Sequence, residues 1–311
     1  MAALICGSIA YDTIMVFPDR FKNHILPDQL HILNVSFLVP EMRREFGGCA
    51  GNIAYNLKLL GGEALPMATV GSDFMPYAEW MDRCEINRNY IKIINNTYTA
   101  QAFITTDQDD NQITAFHPGA MSFSHFNRAD EIPGVKLAII SPDGRDGMIE
   151  HAQQLAAANI PFIFDPGQGM PMFNGDELMN FINLATWATF NDYEAELLRN
   201  RTGKSLWEIS ERLDALIITR GAQGSMIYTN GKQIDIPPAT VQKIVDPTGC
   251  GDAFRGGLLY GLMNNMDWEV TGRLASLMGA IKIESNGTQN HYIEFDNIIK
   301  RFYQTFGFSC K

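Results

Sequence analysis

The segment Asp246-Pro247-Thr248-Gly249-Cys250-Gly251-Asp252-Ala253-Phe254-Arg255-Gly256-Gly257, late in the chain, combines residue types that phosphoryl transfer needs. Gly249 and Gly251 flank Cys250 just ahead of a helix-like stretch, and glycines let a backbone turn sharply and approach a ligand. The free amides at such a helix start, with the positive end of its dipole, favour an anion. Asp252 falls in the first turn. A carboxylate cannot cradle an anion, so its chemistry beside one is to accept a proton. A hydroxyl relieved of its proton by Asp252 can attack a phosphoryl group while the amides of Gly249, Cys250 and Gly251 hold the developing charge. The same residues also suit a plain capped helix after a glycine turn. A second cluster, Phe46-Gly47-Gly48-Cys49-Ala50-Gly51-Asn52, again precedes a helix. A polar ligand can approach its backbone, and the Asn52 amide can bind a hydroxyl or cap the helix.

Competing motifs fail on spacing. Gly203-Lys204-Ser205 has the tail of a Walker A loop, but the upstream glycine position holds Leu198. Gly249-Cys250-Gly251 reaches Phe254 where a dinucleotide fingerprint needs glycine, and it lies late in the chain rather than opening a domain.

Short apolar runs alternate with helix-length segments. Strands are expected over Ala3–Ile9, Leu65–Val70, Val135–Ile140, Pro161–Phe164, Thr186–Phe190 and Leu216–Thr219. Helices are expected over Asn52–Leu60, Met75–Cys84, Gly147–Ala158, Tyr193–Asn200, Gly251–Met263 and Trp268–Glu284. This alternation implies a mostly parallel sheet covered on both faces. His31–Phe46 and Thr97–Phe116 break the rhythm with strand-like alternation and no intervening helix. The second contains a hairpin signature, Ala102–Thr106 and Gln112–Phe116 around the polar turn Asp107–Asn111. Together they read as a small β appendage able to close over a ligand.

The chain has 311 residues, 46% hydrophobic and 19% charged, which suits a folded globular protein without disordered tracts. A net charge of −11 speaks against nucleic-acid binding as the main task. No apolar run approaches the roughly 18 residues that span a bilayer. Cys6, Cys49, Cys84, Cys250 and Cys310 are scattered and form no C-x-x-C pair, as in reduced cytoplasmic proteins. The expected location is therefore the cytoplasm, with neither a membrane nor a nucleic acid as partner.

Taken together, Gly47-Gly48-x-x-Gly51-Asn52 and Asp246-Pro247-Thr248-Gly249-x-Gly251-Asp252 resemble the two signatures of the ribokinase-like (PfkB) carbohydrate kinases. Further pieces are similar to the bacterial adenosine kinases within that family: Gly7–Asp12, Phe17–Phe21, Leu30-His31, Ser36–Val39, His117–Met121, Asn191–Glu194 and Glu284–Gln289. The resemblance implies an α/β three-layer sandwich with a mostly parallel central sheet. It implies one domain over residues 1–311, with a β lid from about 13–46 and 97–118. It also implies transfer of the ATP γ-phosphate to the 5′-hydroxyl of adenosine, with Mg²⁺ and, as in some relatives, K⁺. A sugar kinase, a nucleoside kinase of broad choice and a non-catalytic nucleoside-binding protein are the alternatives. A homodimer through the lid edge is a further expectation.

By the same resemblance Asp12, at the end of the first strand, holds the ribose hydroxyls. Ser8, Ser36, Gly48 and Asn52 complete the nucleoside pocket, Phe116 stacks on the purine and Met121 lines it. Asn191 and Glu194 resemble the N-x-x-E motif that helps to place Mg²⁺ and phosphates, the glutamate through water. Thr219, Arg220, Gly221 and Gly224 resemble the nucleotide loop, and Asn286 lies near the adenine of ATP. Asp246 and Thr248 match positions that coordinate a monovalent cation. Two positions depart from the pattern. Where a second ring would clamp the purine the chain has Ala102, with Phe103 beside it, so either the register shifts by one or the clamp is one-sided. Arg220 stands where sugar kinases often carry a small residue, and either reaches a phosphate or points to solvent. The Cys250 thiol, at a helix start, either has a lowered pKa or is inert packing.

Overall fold

The computed structural model describes residues 2–25, 34–109 and 111–310. Its strands are β1 (Ala2–Cys6), β2 (Ala10–Val16), β3 (Glu41–Gly47), β4 (Ala64–Val70), β5 (Ile91–Ile93), β6 (Ala100–Thr106), β7 (Gln112–His117), β8 (Val135–Ile140), β9 (Phe162–Phe164), β10 (Trp187–Asn191), β11 (Ala215–Thr219), β12 (Ser225–Thr229) and β13 (Lys232–Ile236). Its helices are α1 (Cys49–Leu59), α2 (Met75–Arg83), α3 (Arg145–Ala157), α4 (Gly175–Leu184), α5 (Asp192–Thr202), α6 (Leu206–Ser210), α7 (Cys250–Met263), α8 (Trp268–Ile283) and α9 (Phe295–Phe306).

Nine strands form one sheet in the order β13-β12-β11-β10-β9-β8-β1-β4-β5. Pairing is parallel from β5 to β11, and β12 and β13 add an antiparallel edge. Side chains alternate across a strand, so β1 feeds two cores at once. Ala2, Leu4 and Cys6 pack with Met148 and Leu155 of α3, Phe181 of α4 and Leu198 of α5. Ala3 and Ile5 pack with Ile53 and Leu57 of α1, Tyr77 of α2 and Leu258 of α7. Both faces of the sheet are therefore dry, as a parallel sheet requires, and the architecture is the expected three-layer sandwich. Helix α9 lies against α8 through Ile298 and Phe302.

A separate four-stranded sheet has the order β3-β2-β6-β7. The expected hairpin is β6-β7. Its partner strand β2 starts at Ala10, directly after the first core strand, so the apolar run Ala3–Ile9 is not one strand. Asp12 consequently lies inside this four-stranded sheet and not at the end of β1. Of the expected stretch His31–Phe46, residues 31–33 lie outside the described residues, and regular strand begins only at Glu41. The register of this sheet shows which of Ala102 and Phe103 shares a face with Phe116. Glu45, Asp12, Ala102 and Phe116 stand opposite one another across the four strands and so share one face. Phe103 pairs with Thr13 and Ala115 on the other face. The row presents two carboxylates, an alanine and a single ring.

Candidate active site

The carboxyl ends of the parallel strands all open on one edge, where ligands of open α/β sheets bind. Ser8 follows β1, Asp143 follows β8, Asp165 follows β9, Asn191 ends β10 and Thr219 ends β11. Two helices start over this edge. Gly48 caps α1 with φ +84° and Gly249 caps α7 with φ +77°, a backbone region that side chains bearing a Cβ rarely enter. The two helices pack closely because Gly256 has no side chain: a Cβ there would sit 2.7 Å from the Asn56 Cβ. That approach brings Asn52 of α1 within reach of Asp252 of α7, and the Asn52 Nδ2 donates to the Asp252 Oδ2 at 2.8 Å.

The orientation of Asn52 is fixed from behind. Its Oδ1 accepts from the Gln289 Nε2 at 2.9 Å, Gln289 also donates to the Tyr77 hydroxyl, and the Trp80 indole donates to the Gln289 Oε1 at 2.8 Å. Asn52, only 4% exposed, thus aims Asp252 rather than standing free for a hydroxyl. The amide of Cys250 closes a turn on the Pro247 carbonyl at 3.2 Å. Among the described residues the amides of Gly249 and Gly251, two of the three expected, have no hydrogen-bond acceptor. Burial raises the Cys250 thiol to about 11, so it is not the acidic thiol a helix start would favour.

One turn further along α7, Arg255 forms a two-pronged buried pair with Asp165: Nε to Oδ2 at 2.9 Å and Nη2 to Oδ1 at 2.7 Å. Neither residue was assigned a role from sequence. The signal for Arg255 was its spacing, three residues after Asp252 on the same helix. Asp165 follows an apolar run without any motif, and Gln289 ends the piece Glu284–Gln289 that resembles the adenosine kinases but carried no role of its own. Burial is the main cause that raises Asp252, to about 6, opposed by the Asn52 donor and the Arg255 charge. Asp12 is raised to about 6 as well, first by burial and then by Glu45. A carboxylate must be ionised to accept a proton, and a raised pKa means that it is lost to protonation sooner as the pH falls. Turnover is therefore expected to fall as the pH drops through about 6. If both carboxylates must be ionised, log kcat/KM against pH approaches a slope of two, and Asp12→Asn returns it to one.

Ser8 is 7% exposed and its Oγ accepts from the Cys49 amide at 3.2 Å, next to Gly48. Met121 is half-buried in a short 3₁₀ segment, and its carbonyl faces Gly144. Phe116 is a large ring left 51% exposed. Ser36 is exposed, ahead of β3. On the opposite side of the edge, Thr219 and the turn Gly221–Gln223 lead to Gly224. Arg220 folds back instead of reaching outward: its Nη2 lies 3.3 Å from Asp235 and 3.4 Å from the Gln223 carbonyl. Asn286 is exposed beside Gly287. Asp246 is already engaged, its two oxygens accepting from the amides of Thr248 and Gly287 at 2.9 Å each.

Asn191 and Glu194 form a capping box on α5. The Asn191 amide donates to Glu194 Oε2 and the Asn191 Nδ2 to Glu194 Oε1, both at 2.8 Å. Both carboxylate oxygens are engaged within the box. Among the described residues no group of three or more His, Cys, Asp or Glu side chains forms a metal cage. A magnesium ion at this place would have to take most of its ligands from phosphates and water.

The pfkB family carbohydrate kinase model matches residues 10–294. The chain is 31% identical over 271 residues to the nucleoside kinase of Methanocaldococcus jannaschii, covering 86% of this chain and 89% of that protein. It is 54% identical to the structure of Burkholderia thailandensis nucleoside kinase in complex with inosine, at a TM-score of 0.91 and 99% coverage of each chain. The same kinase in complex with ADP-inosine superposes at a TM-score of 0.88 with 56% identity, covering 99% of this chain and 97% of that one. Among the described residues no helix is long and apolar enough to cross a membrane. With the family model spanning both glycine-led helix starts and the four-stranded sheet, the chain belongs to the pfkB family of carbohydrate kinases, phosphotransferases that act on an alcohol acceptor.

Proposed function

We propose that the chain is an ATP-dependent nucleoside kinase that phosphorylates the 5′-hydroxyl of a purine nucleoside, adenosine first among them. The observation that carries this reading is the Asn52–Asp252 hydrogen bond of 2.8 Å, which aims a carboxylate beside the open amides of Gly249 and Gly251. Asp252 takes the 5′-hydroxyl proton, and the oxygen attacks the γ-phosphate in line. The two amides meet the charge that develops on the transferred group. Mg²⁺, held by the triphosphate and through water by Glu194 with Asn191, neutralises phosphate charge. Thr219, Gly221 and Gly224 border the nucleotide, and Asn286 its adenine.

The lid row supports a nucleoside over a bare sugar. Asp12 has two acceptor oxygens for the vicinal ribose hydroxyls, with Ser8 and Gly48 near the sugar and Ser36 on the lid side. The exposed Phe116 ring, on the same face as Ala102, is read as the place of a flat base, with Met121 lining it. The similar Burkholderia kinase is known in complex with inosine, which supports a purine nucleoside as the substrate. A single ring holds a base less selectively than two, so inosine is expected to be accepted beside adenosine.

The test is ADP release with Mg²⁺-ATP and a panel of adenosine, inosine, guanosine and ribose. Phe116→Ala is expected to raise the KM for adenosine by roughly 5- to 150-fold, the equivalent of one lost base–aromatic stack, and to leave any ribose turnover unchanged. Ribose turned over better than every nucleoside would replace this reading with a sugar kinase. Tight nucleoside binding without ADP release would leave a binding protein.

A further inference from the structure

Lys282, in the last turn of α8, is 0% exposed. An ammonium group taken out of water is costly unless its donors are met. Its Nζ donates to two backbone carbonyls, Asp246 at 2.8 Å and Ser285 at 3.1 Å. The same junction is laced by main chain. The Val245 and Asp246 amides donate to the Ile283 carbonyl at 2.9 and 3.1 Å, and the Gly287 amide to the Asp246 carboxylate at 2.9 Å. Gly249 packs on Thr288, where a Cβ would come within 3.1 Å. The strand of chain that enters the cradle and the loop that follows α8 are thus gathered around one positive charge.

The monovalent cation that the family resemblance assigns to Asp246 and Thr248 does not fit beside this ammonium. The Asp246 carbonyl already accepts from Lys282, and both Asp246 carboxylate oxygens already accept from amides. A second cation at this spot would face a fixed positive charge and would have to share oxygens that each already accept a hydrogen bond. We propose that Lys282 is a positioning residue that does the work of a monovalent cation: a tethered charge that locks residues 245–249 against 284–288 and makes added K⁺ unnecessary. This rests on the reading of Gly249–Asp252 as the phosphate cradle.

The test compares choline, sodium and potassium chloride at constant ionic strength, reading both turnover and Tm. For the unaltered chain, kcat is expected to vary by less than about twofold among the three salts, and Tm to be the same in each. Lys282→Ala removes the charge and leaves room for an ion. Its kcat in choline is expected to fall at least about tenfold, with KM for the nucleoside little changed. Potassium or ammonium is expected to restore kcat and raise Tm by binding the folded state. Lys282→Met removes the charge but fills the space, and is expected to lose turnover without rescue. Potassium activation or stabilisation of the unaltered chain overturns the proposal, whether or not the variants fold. So does a Lys282→Ala protein that is fully active in choline, or one that is impaired and unresponsive to every cation. A chain with no kinase activity at all would bring down the proposed function instead, and the Tm comparison would still decide the role of Lys282.

Discussion

Asp252→Asn lowers kcat by roughly 10²- to 10⁴-fold, the range that a positioned general base contributes. Asparagine keeps the shape of the side chain and can still accept from Asn52, so the α1–α7 junction and the pocket persist. What disappears is the oxygen that accepts the hydroxyl proton. Nucleoside binding, measured calorimetrically without ATP, stays within a few-fold of the parent by the same logic, since the interaction lost belongs to the transition state. The acid limb near pH 6 loses the part due to Asp252. A variant that retained near-parent turnover would show that the proton leaves by another route and would remove the central assignment of the site.

Arg255→Met is the second large effect, and it falls on stability. It leaves Asp165, 3% exposed, as a buried carboxylate without its partner. Breaking such a pair typically costs about 3–5 kcal/mol. Denaturant unfolding is expected to show a midpoint lowered accordingly, with an unchanged slope. The double variant Arg255→Met with Asp165→Leu recovers much of the loss, because no unpaired charge then remains. The pair also acts on the proposed base. Arg255 lowers the proton affinity of Asp252 and Asp165 raises it. The acid limb of Arg255→Met therefore moves to higher pH, and that of Asp165→Asn to lower pH. Limbs that stay fixed in both variants would mean that Asp252 does not govern the profile.

Much of the architecture was legible because it depends on short-range patterns. Apolar runs with helices between them require a sheet buried on both faces, and the hairpin at 102–116 followed from its polar turn. The boundary between β1 and β2 was not legible. Both strands are apolar, and only pairing with different sheets separates Ala2–Cys6 from Ala10–Val16. The question of Ala102 or Phe103 was a question of register. A one-residue slip turns every side chain over, and the hydrogen-bonded ladder alone decides it.

The site divides in the same way. The amino-acid order by itself determined the two glycine-led helix starts, the carboxylate one turn into the second, and the capping box of Asn191 and Glu194. Each of these is a local rule about backbone freedom, helix ends and spacing. Only the folded chain decided that Asn52 aims Asp252, that Gln289 and Trp80 hold Asn52, that Asp165 answers Arg255 and that Lys282 sits between two loops. These partners lie from 36 to 237 positions apart along the chain. Contacts over such separations leave no periodic trace, because they arise from the packing of whole helices and sheets and not from the preferences of neighbouring residues.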